Sequence, residues 1–258
     1  MKFTPNLTKM EWKNGIIAMT AAMFLLPGLL AFIPGLSEAM LNFTAYFISV
    51  GTAVYFLRRF LGKNMVVALT HPFATLYLAA LGYLASLAFA EITYYIAWLV
   101  SPNYVNLNNQ TVQSLLAADL PLILITTVVL APIAEECFFR GLLFRGIYDR
   151  SPIWAWVLSV GLFALGHVAG YIGMYTLPEM LVSLLIYIPA GIILNVTYRR
   201  SGSIISPIIA HAIINLMAAM AATRSHHAQN HPIIHPYCQP HRRRRGGGAA
   251  RIRCQGTP

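Results

Sequence analysis

Charge is scarce in this chain. Only 10% of its 258 residues are Asp, Glu, Lys or Arg, and eight are acidic, whereas soluble domains carry about 25% charged side chains. With hydrophobic residues at 57%, a soluble globular protein is excluded and an integral membrane protein remains. Cysteine is scarce too. Cys137 lies in an apolar run and Cys238 and Cys254 lie near the C-terminus, a pattern that offers neither a disulfide framework nor paired metal-ligand spacing. No internal repeat or matched pair of interrupted helices is visible, which counts against a transporter. Acidic residues are absent from 224–258, where seven of the eighteen basic side chains lie; the remainder of the chain holds eleven basic and eight acidic groups. The net charge of +10 therefore belongs mostly to the tail, and no nucleic-acid partner is expected.

What the chain has in abundance is long apolar runs. Crossing a hydrocarbon core of about 30 Å takes roughly 20 residues, and runs of about that length fall near 15–34, 39–57, 73–100, 120–147, 153–171, 178–198 and 203–222. The expected fold is all-α, a polytopic bundle of about seven spans over 1–223. Lys2, Lys9 and Lys13 precede the first run, but it is too long for a signal-peptide core and has no small-residue cleavage site, so it reads as a retained anchor. Basic residues alternate between connections. They occur before the first run, at Arg58, Arg59 and Lys63, at Arg145 and Arg150, and at Arg199 and Arg200. That alternation puts the N-terminal side in the cytoplasm, as in a bacterial inner membrane. The segment 224–258 lacks apolar periodicity and is expected to be a disordered basic tail. Its abrupt change of character has the look of a frameshifted or substituted end.

One apolar run carries an anomaly. Glu135, Glu136 and Arg140 follow fourteen uncharged residues, and each such group near a membrane centre costs about 3 kcal/mol. Residues four apart share a helical face, so Glu136 and Arg140 can pair while Glu135 points about 100° away. Unpaired and facing a cavity, Glu135 suits a general base. Two later runs each hold one interior histidine, His167 and His211, with Phe163 and Asn215 four residues away on the same faces. Counting about 1.5 Å per residue from the cytoplasmic ends puts His167 roughly 22 Å deep and His211 roughly 12 Å deep; Glu135 lies at roughly 20 Å if its helix continues through Arg140 to about Ile147. Cys137 is read as a small apolar side chain. His71, before Pro72, reads as interfacial, and Glu91 and Asp119 are assigned no chemistry.

In these residues the chain resembles the CPBP family, the CAAX protease and bacteriocin-processing membrane proteins, also called Abi, and within it the type II CAAX prenyl endopeptidases. The motifs are EECFFR at 135–140, FALGH at 163–167 and HAIIN at 211–215, within about 120–216. The resemblance implies an intramembrane endopeptidase acting on a membrane-associated or prenylated peptide, or a bacteriocin-like one. It implies that Glu135 and His167 activate a water and that His211 and Asn215 stabilise the oxyanion, with Glu136, Arg140 and Phe163 in support. No cofactor is expected. A zinc mechanism would draw on Glu135, His167 and His211, a ligand set known from catalytic zinc sites, although no HExxH is present. Two other readings stay open: a non-catalytic membrane scaffold or immunity protein, and a proton-coupled transporter. Family members often carry a further span after the third motif, where this chain turns basic.

Overall fold

A computed structural model describes Phe3 and residues 7–230, 238–240 and 252–254, with side chains described through residue 223. Among the described residues seven helices are long and apolar enough to cross a membrane: α1 (Lys9–Leu30), α2 (Glu38–Thr70), α3 (Pro72–Val100), α5 (Leu120–Tyr148), α6 (Pro152–Tyr171), α7 (Leu177–Ser201) and α8, whose apolar part is Ile205–Thr223. The protein is an integral, multi-pass membrane protein. An eighth helix, α4 (Leu107–Ala118), is short and lies between α3 and α5. It occupies part of the polar stretch between the expected runs 73–100 and 120–147. Asn106 caps it by accepting from Asn109 N–H at 3.1 Å.

α1 begins, and α2 ends, well outside the expected limits. α1 starts at Lys9, where Thr8 and Glu11 form a reciprocal capping box. α2 runs on to Thr70 because no proline interrupts the sequence until Pro72, so Arg58, Arg59 and Lys63 belong to the helix body rather than to a following loop. At 33 residues it is about 50 Å long, well beyond the hydrocarbon core.

Small residues let the helices approach closely, as expected where water supplies no drive to associate them. α3 buries Thr75, Ala79, Gly82, Ser86, Thr93 and Ala97 on one seam. A Cβ at Gly82 would lie 2.6 Å from Thr197 Oγ1 on α7, so glycine sets that spacing. The opposite faces present large apolar side chains outward, among them Phe73, Tyr77 and Leu84.

Two helices change register just before a proline. Wide π turns occupy Ala21–Leu25 and Thr126–Leu130, ending two residues ahead of Pro27 and Pro132. Proline lacks an N–H and crowds the carbonyl four residues back; a one-residue shift of the ladder avoids that clash. A third π stretch, Cys137–Arg145, follows the glutamates. α5 is thus continuous through Arg140, with a six-residue α segment, Ala131–Glu136, between two wide stretches.

The α7–α8 connection is recessed into the bundle. Ser201, Ser203, Ile204 and Ser206 are all buried. Gly202 ends α7 in the left-handed region at φ 70°, which glycine adopts without Cβ strain. Asn64 of α2 seals the loop: its side-chain oxygen accepts from Ile204 N–H at 2.8 Å, and its backbone carbonyl accepts from Ser203 Oγ at 2.8 Å.

The chain divides into two compact units, Met1–Ala219 and Met220–Pro258. In the second, α8 continues to Asn230, past the expected end of the span, and Cys238–Pro240 pairs antiparallel with Ile252–Cys254. The rest of the expected basic tail, including His231, His235, His241 and the arginines at 242–245, lies outside the described residues.

Candidate active site

α5 presents Glu135 and Glu136 from the α segment between its wide turns. Glu136 and Arg140 are fully buried and joined at 2.8 Å, Arg140 NH1 donating to Glu136 Oε1. The guanidinium also donates through Nε to Asn195 Oδ1 at 3.2 Å and through NH2 to Gly191 O at 3.2 Å, and lies 4.4 Å from the centre of the Phe163 ring. Ser159 Oγ lies 3.1 Å from the same Asn195 oxygen and 2.9 Å from Phe139 O, its one hydrogen shared between them. An ion pair so enclosed offsets its desolvation only when nearly every polar atom finds a partner, and here the guanidinium is held on three sides.

His167 and His211 converge on Glu135. Each Nε2 lies 3.8 Å from Glu135 Oε2. Their Nδ1 atoms are held at 2.8 Å by Phe163 O and by Glu136 Oε1, respectively. A carbonyl only accepts, and Glu136 Oε1 already accepts from Arg140 NH1, so the Nδ1 atoms are assigned as the donors. The Nε2 faces therefore look toward Glu135. Among the described residues Glu135 Oε2 is buried without a hydrogen-bond partner, since 3.8 Å exceeds hydrogen-bond range. The depth count from the sequence left His211 about 10 Å short of the other two groups; the recessed α7–α8 loop supplies the difference, because α8 begins inside the bundle.

Glu135 opens on a cavity of about 230 Å³ lined by α1 (Met23, Phe24, Pro27), α2 (Leu41, Asn42, Ala45, Tyr46, Ser49), Asn108 of α4, Phe139, Gly166 and His167. Sequence reasoning missed three residues of this surround. Tyr46 donates its hydroxyl to Glu135 Oε1 at 2.8 Å. Tyr187 stacks on the His167 ring with centroids 4.4 Å apart at 24°. Asn108 donates to the Tyr187 hydroxyl at 3.2 Å, and that hydroxyl donates to Asn106 Oδ1 at 3.1 Å. Tyrosines in a membrane chain carry no special signal. Asn195, isolated in the apolar run IILNVTY, did carry one.

Asn215 is placed elsewhere. It makes no hydrogen bond to Glu135 or to either histidine; its side-chain amide donates to Thr127 O at 2.8 Å. The wide turn explains why. Ala131 N–H bonds to Thr126 O, and the next residue, Pro132, has no N–H, so Thr127 O has no donor within its own helix. Asn215 supplies one. The wide stretches similarly expose Phe139 O to Ser159 Oγ at 2.9 Å and Leu142 O to Trp12 Nε1 at 3.0 Å. Carbonyls on α5 thus serve as docking points for α1, α6 and α8.

The donor types at Glu135, His167 and His211 suit zinc, but their spacing does not. A tetrahedral site with bonds of about 2.1 Å has edges of about 3.4 Å, shorter than the observed 3.8 Å. Among the described residues no group of three His, Cys, Asp or Glu side chains is arranged to hold a metal ion.

A carboxylate and two imidazoles gathered beside a cavity, inside a seven-span bundle, define a membrane protein with a Glu–His centre buried among its helices. Residues 117–217 match the Rce1-like family model, described as type II CAAX prenyl endopeptidase Rce1-like. That stretch contains Glu135, Glu136, Arg140, Phe163, His167, His211 and Asn215, and the family it describes is one of proteases. α1, α2 and α3 lie outside the match. No curated protein and no solved structure matches the chain.

Proposed function

We propose that this protein is an intramembrane endopeptidase of the CPBP type that hydrolyses a peptide bond in a membrane-associated or prenylated peptide, using a water activated by Glu135 and His167. The observation that carries this reading is the unpartnered Glu135 Oε2, which faces the two Nε2 atoms at 3.8 Å. A water between them can give one hydrogen to Glu135 Oε2 and the other to the bare Nε2 of His167. Its oxygen then attacks the scissile carbonyl carbon while its proton passes to Glu135. As the carbon–nitrogen bond breaks, Glu135 returns that proton to the departing amine.

The oxyanion needs donors, each worth roughly 3 kcal/mol. On this reading His211, whose Nδ1–H is held by Glu136, turns Nε2 toward the oxyanion. Asn215 acts on this reading through α5, by holding the carbonyl of Thr127, rather than on the oxyanion. No metal is required. We place the protein in a bacterial inner membrane with its N-terminus cytoplasmic, on the strength of the one-sided basic residues.

The test is hydrolysis of a quenched farnesylated peptide and of unprenylated membrane peptides by the purified full chain. Glu135→Gln and His167→Ala should each abolish cleavage without lowering protein level. Cleavage surviving exhaustive chelation supports the metal-free route; loss restored by zinc overturns it. A cellular phenotype that persists in both variants would instead identify a scaffold.

A further inference from the structure

A second cavity, of about 320 Å³, lies at the opposite end of α5 from Asp119. It is formed by Leu7, Lys9, Trp12 and Lys13 of the α1 region with Gly146, Asp149 and Arg150. Lys9 and Lys13 are four residues apart on α1 and share a face. Arg150 lies 5.5 Å from the centre of the Trp12 ring. Asp149 accepts from Arg145 NH1 at 2.7 Å, so the cavity's one carboxylate already has a cation. Among the described residues no carboxylate pairs with Lys9, Lys13 or Arg150. Three positive side chains therefore surround one concavity, and like charges at this helical spacing repel.

We propose that this cavity binds a phosphate-bearing anion, and that its source is the headgroup of an anionic phospholipid. The phosphate chemistry follows from three convergent cations beside an aromatic wall, in a concavity large enough for a headgroup. The lipid source follows from the surface next to it. Met10 and Ile17 lie three residues before and four after Lys13, on the same face of α1, and both are exposed, at 67% and 63%. An amphiphile can place its phosphate among the cations while its acyl chain follows that apolar strip, an arrangement closed to free phosphate. The basic residues place this end on the cytoplasmic side, where anionic lipid attracts juxtamembrane cations. Trp12 anchors the wall, its Nε1 bonded to Leu142 O at 3.0 Å. The site is independent of the peptidase reading.

The full chain is purified in an uncharged detergent, and its thermal midpoint is followed as dioleoylphosphatidylglycerol, dioleoylphosphatidylcholine or inorganic phosphate is added. Phosphatidylglycerol should raise Tm saturably by roughly 5 °C, phosphatidylcholine should not, and millimolar phosphate alone should not reproduce the shift. K13A/R150A should lose most of the shift, and the charge-keeping K13R/R150K should retain it. If K13A/R150A fails to fold, K9A/K13A, which truncates only exposed side chains, is read in its place. Equal shifts with both lipids, or an undiminished shift in the alanine variant, would overturn the site. A shift from phosphate alone would overturn the lipid as its source.

Discussion

Arg140→Met tests the buried centre most directly. The substitution keeps an unbranched side chain of similar length but removes a guanidinium that is fully buried and makes three hydrogen bonds, to Glu136, Asn195 and Gly191. It leaves Glu136 as a buried anion with His211 Nδ1 as its remaining partner and Oε2 with none. Breaking one half of such a pair costs about 3–5 kcal/mol, and 4 kcal/mol is nearly a thousandfold in the folded-to-unfolded ratio. The second half of the experiment separates charge from packing. In Glu136→Gln/Arg140→Met no charge is stranded, the amide oxygen introduced at position 136 can still accept from His211, and Asn195 Oδ1 keeps Ser159. The double variant should therefore recover about 2 kcal/mol of the single variant's loss, within the range of coupling seen between contacting residues. Reversible unfolding in mixed micelles, followed by circular dichroism, measures both. A double variant as unstable as Arg140→Met would refute the stranded charge as the source of the cost.

Other outcomes follow from the same geometry. Tyr46→Phe removes the hydroxyl that fixes Glu135 Oε1, and a hydrogen bond to a charged group contributes about 1.5–3 kcal/mol. On the proposed reaction kcat should fall roughly 10- to 100-fold with KM unchanged; a loss confined to KM would argue for a substrate contact instead. Asn215→Ala should cost about 1–3 kcal/mol of stability by leaving Thr127 O without a donor. Pro132→Ala restores an N–H one residue after Ala131, so Asn215→Ala/Pro132→Ala should regain at least half of that loss in the same unfolding assay. If the proline replacement gives no rescue, Asn215 acts through something other than the orphaned carbonyl.

Much of this protein is decided by local pattern. Apolar runs of about 20 residues can do little in a bilayer but form helices, since every backbone polar group must be satisfied within the segment, so the seven spans were legible from composition alone. The i,i+4 spacing that lets Glu136 meet Arg140 is equally local. Residues 117–217 match the Rce1-like model, and EECFFR, FALGH and HAIIN lie in linear order within that stretch.

What the sequence could not supply is set by contacts between distant segments. The polar stretch between the runs 73–100 and 120–147 belongs to no expected span; tyrosines on α3, α6 and α7 hold its helix at the cavity. Tyr46 is 89 residues from Glu135 and becomes a partner only when α2 packs beside α5. The depth of His211 depends on a buried turn sealed by Asn64, 140 residues from the backbone amide that it holds. Helical periodicity tells which side chains share a face, and apolar length tells which segments enter the membrane. Neither says how deep a helix starts, where its ladder widens before a proline, or which neighbour satisfies the carbonyl left over. Those are properties of the packed bundle, and they bring Glu135, His167 and His211 to one point.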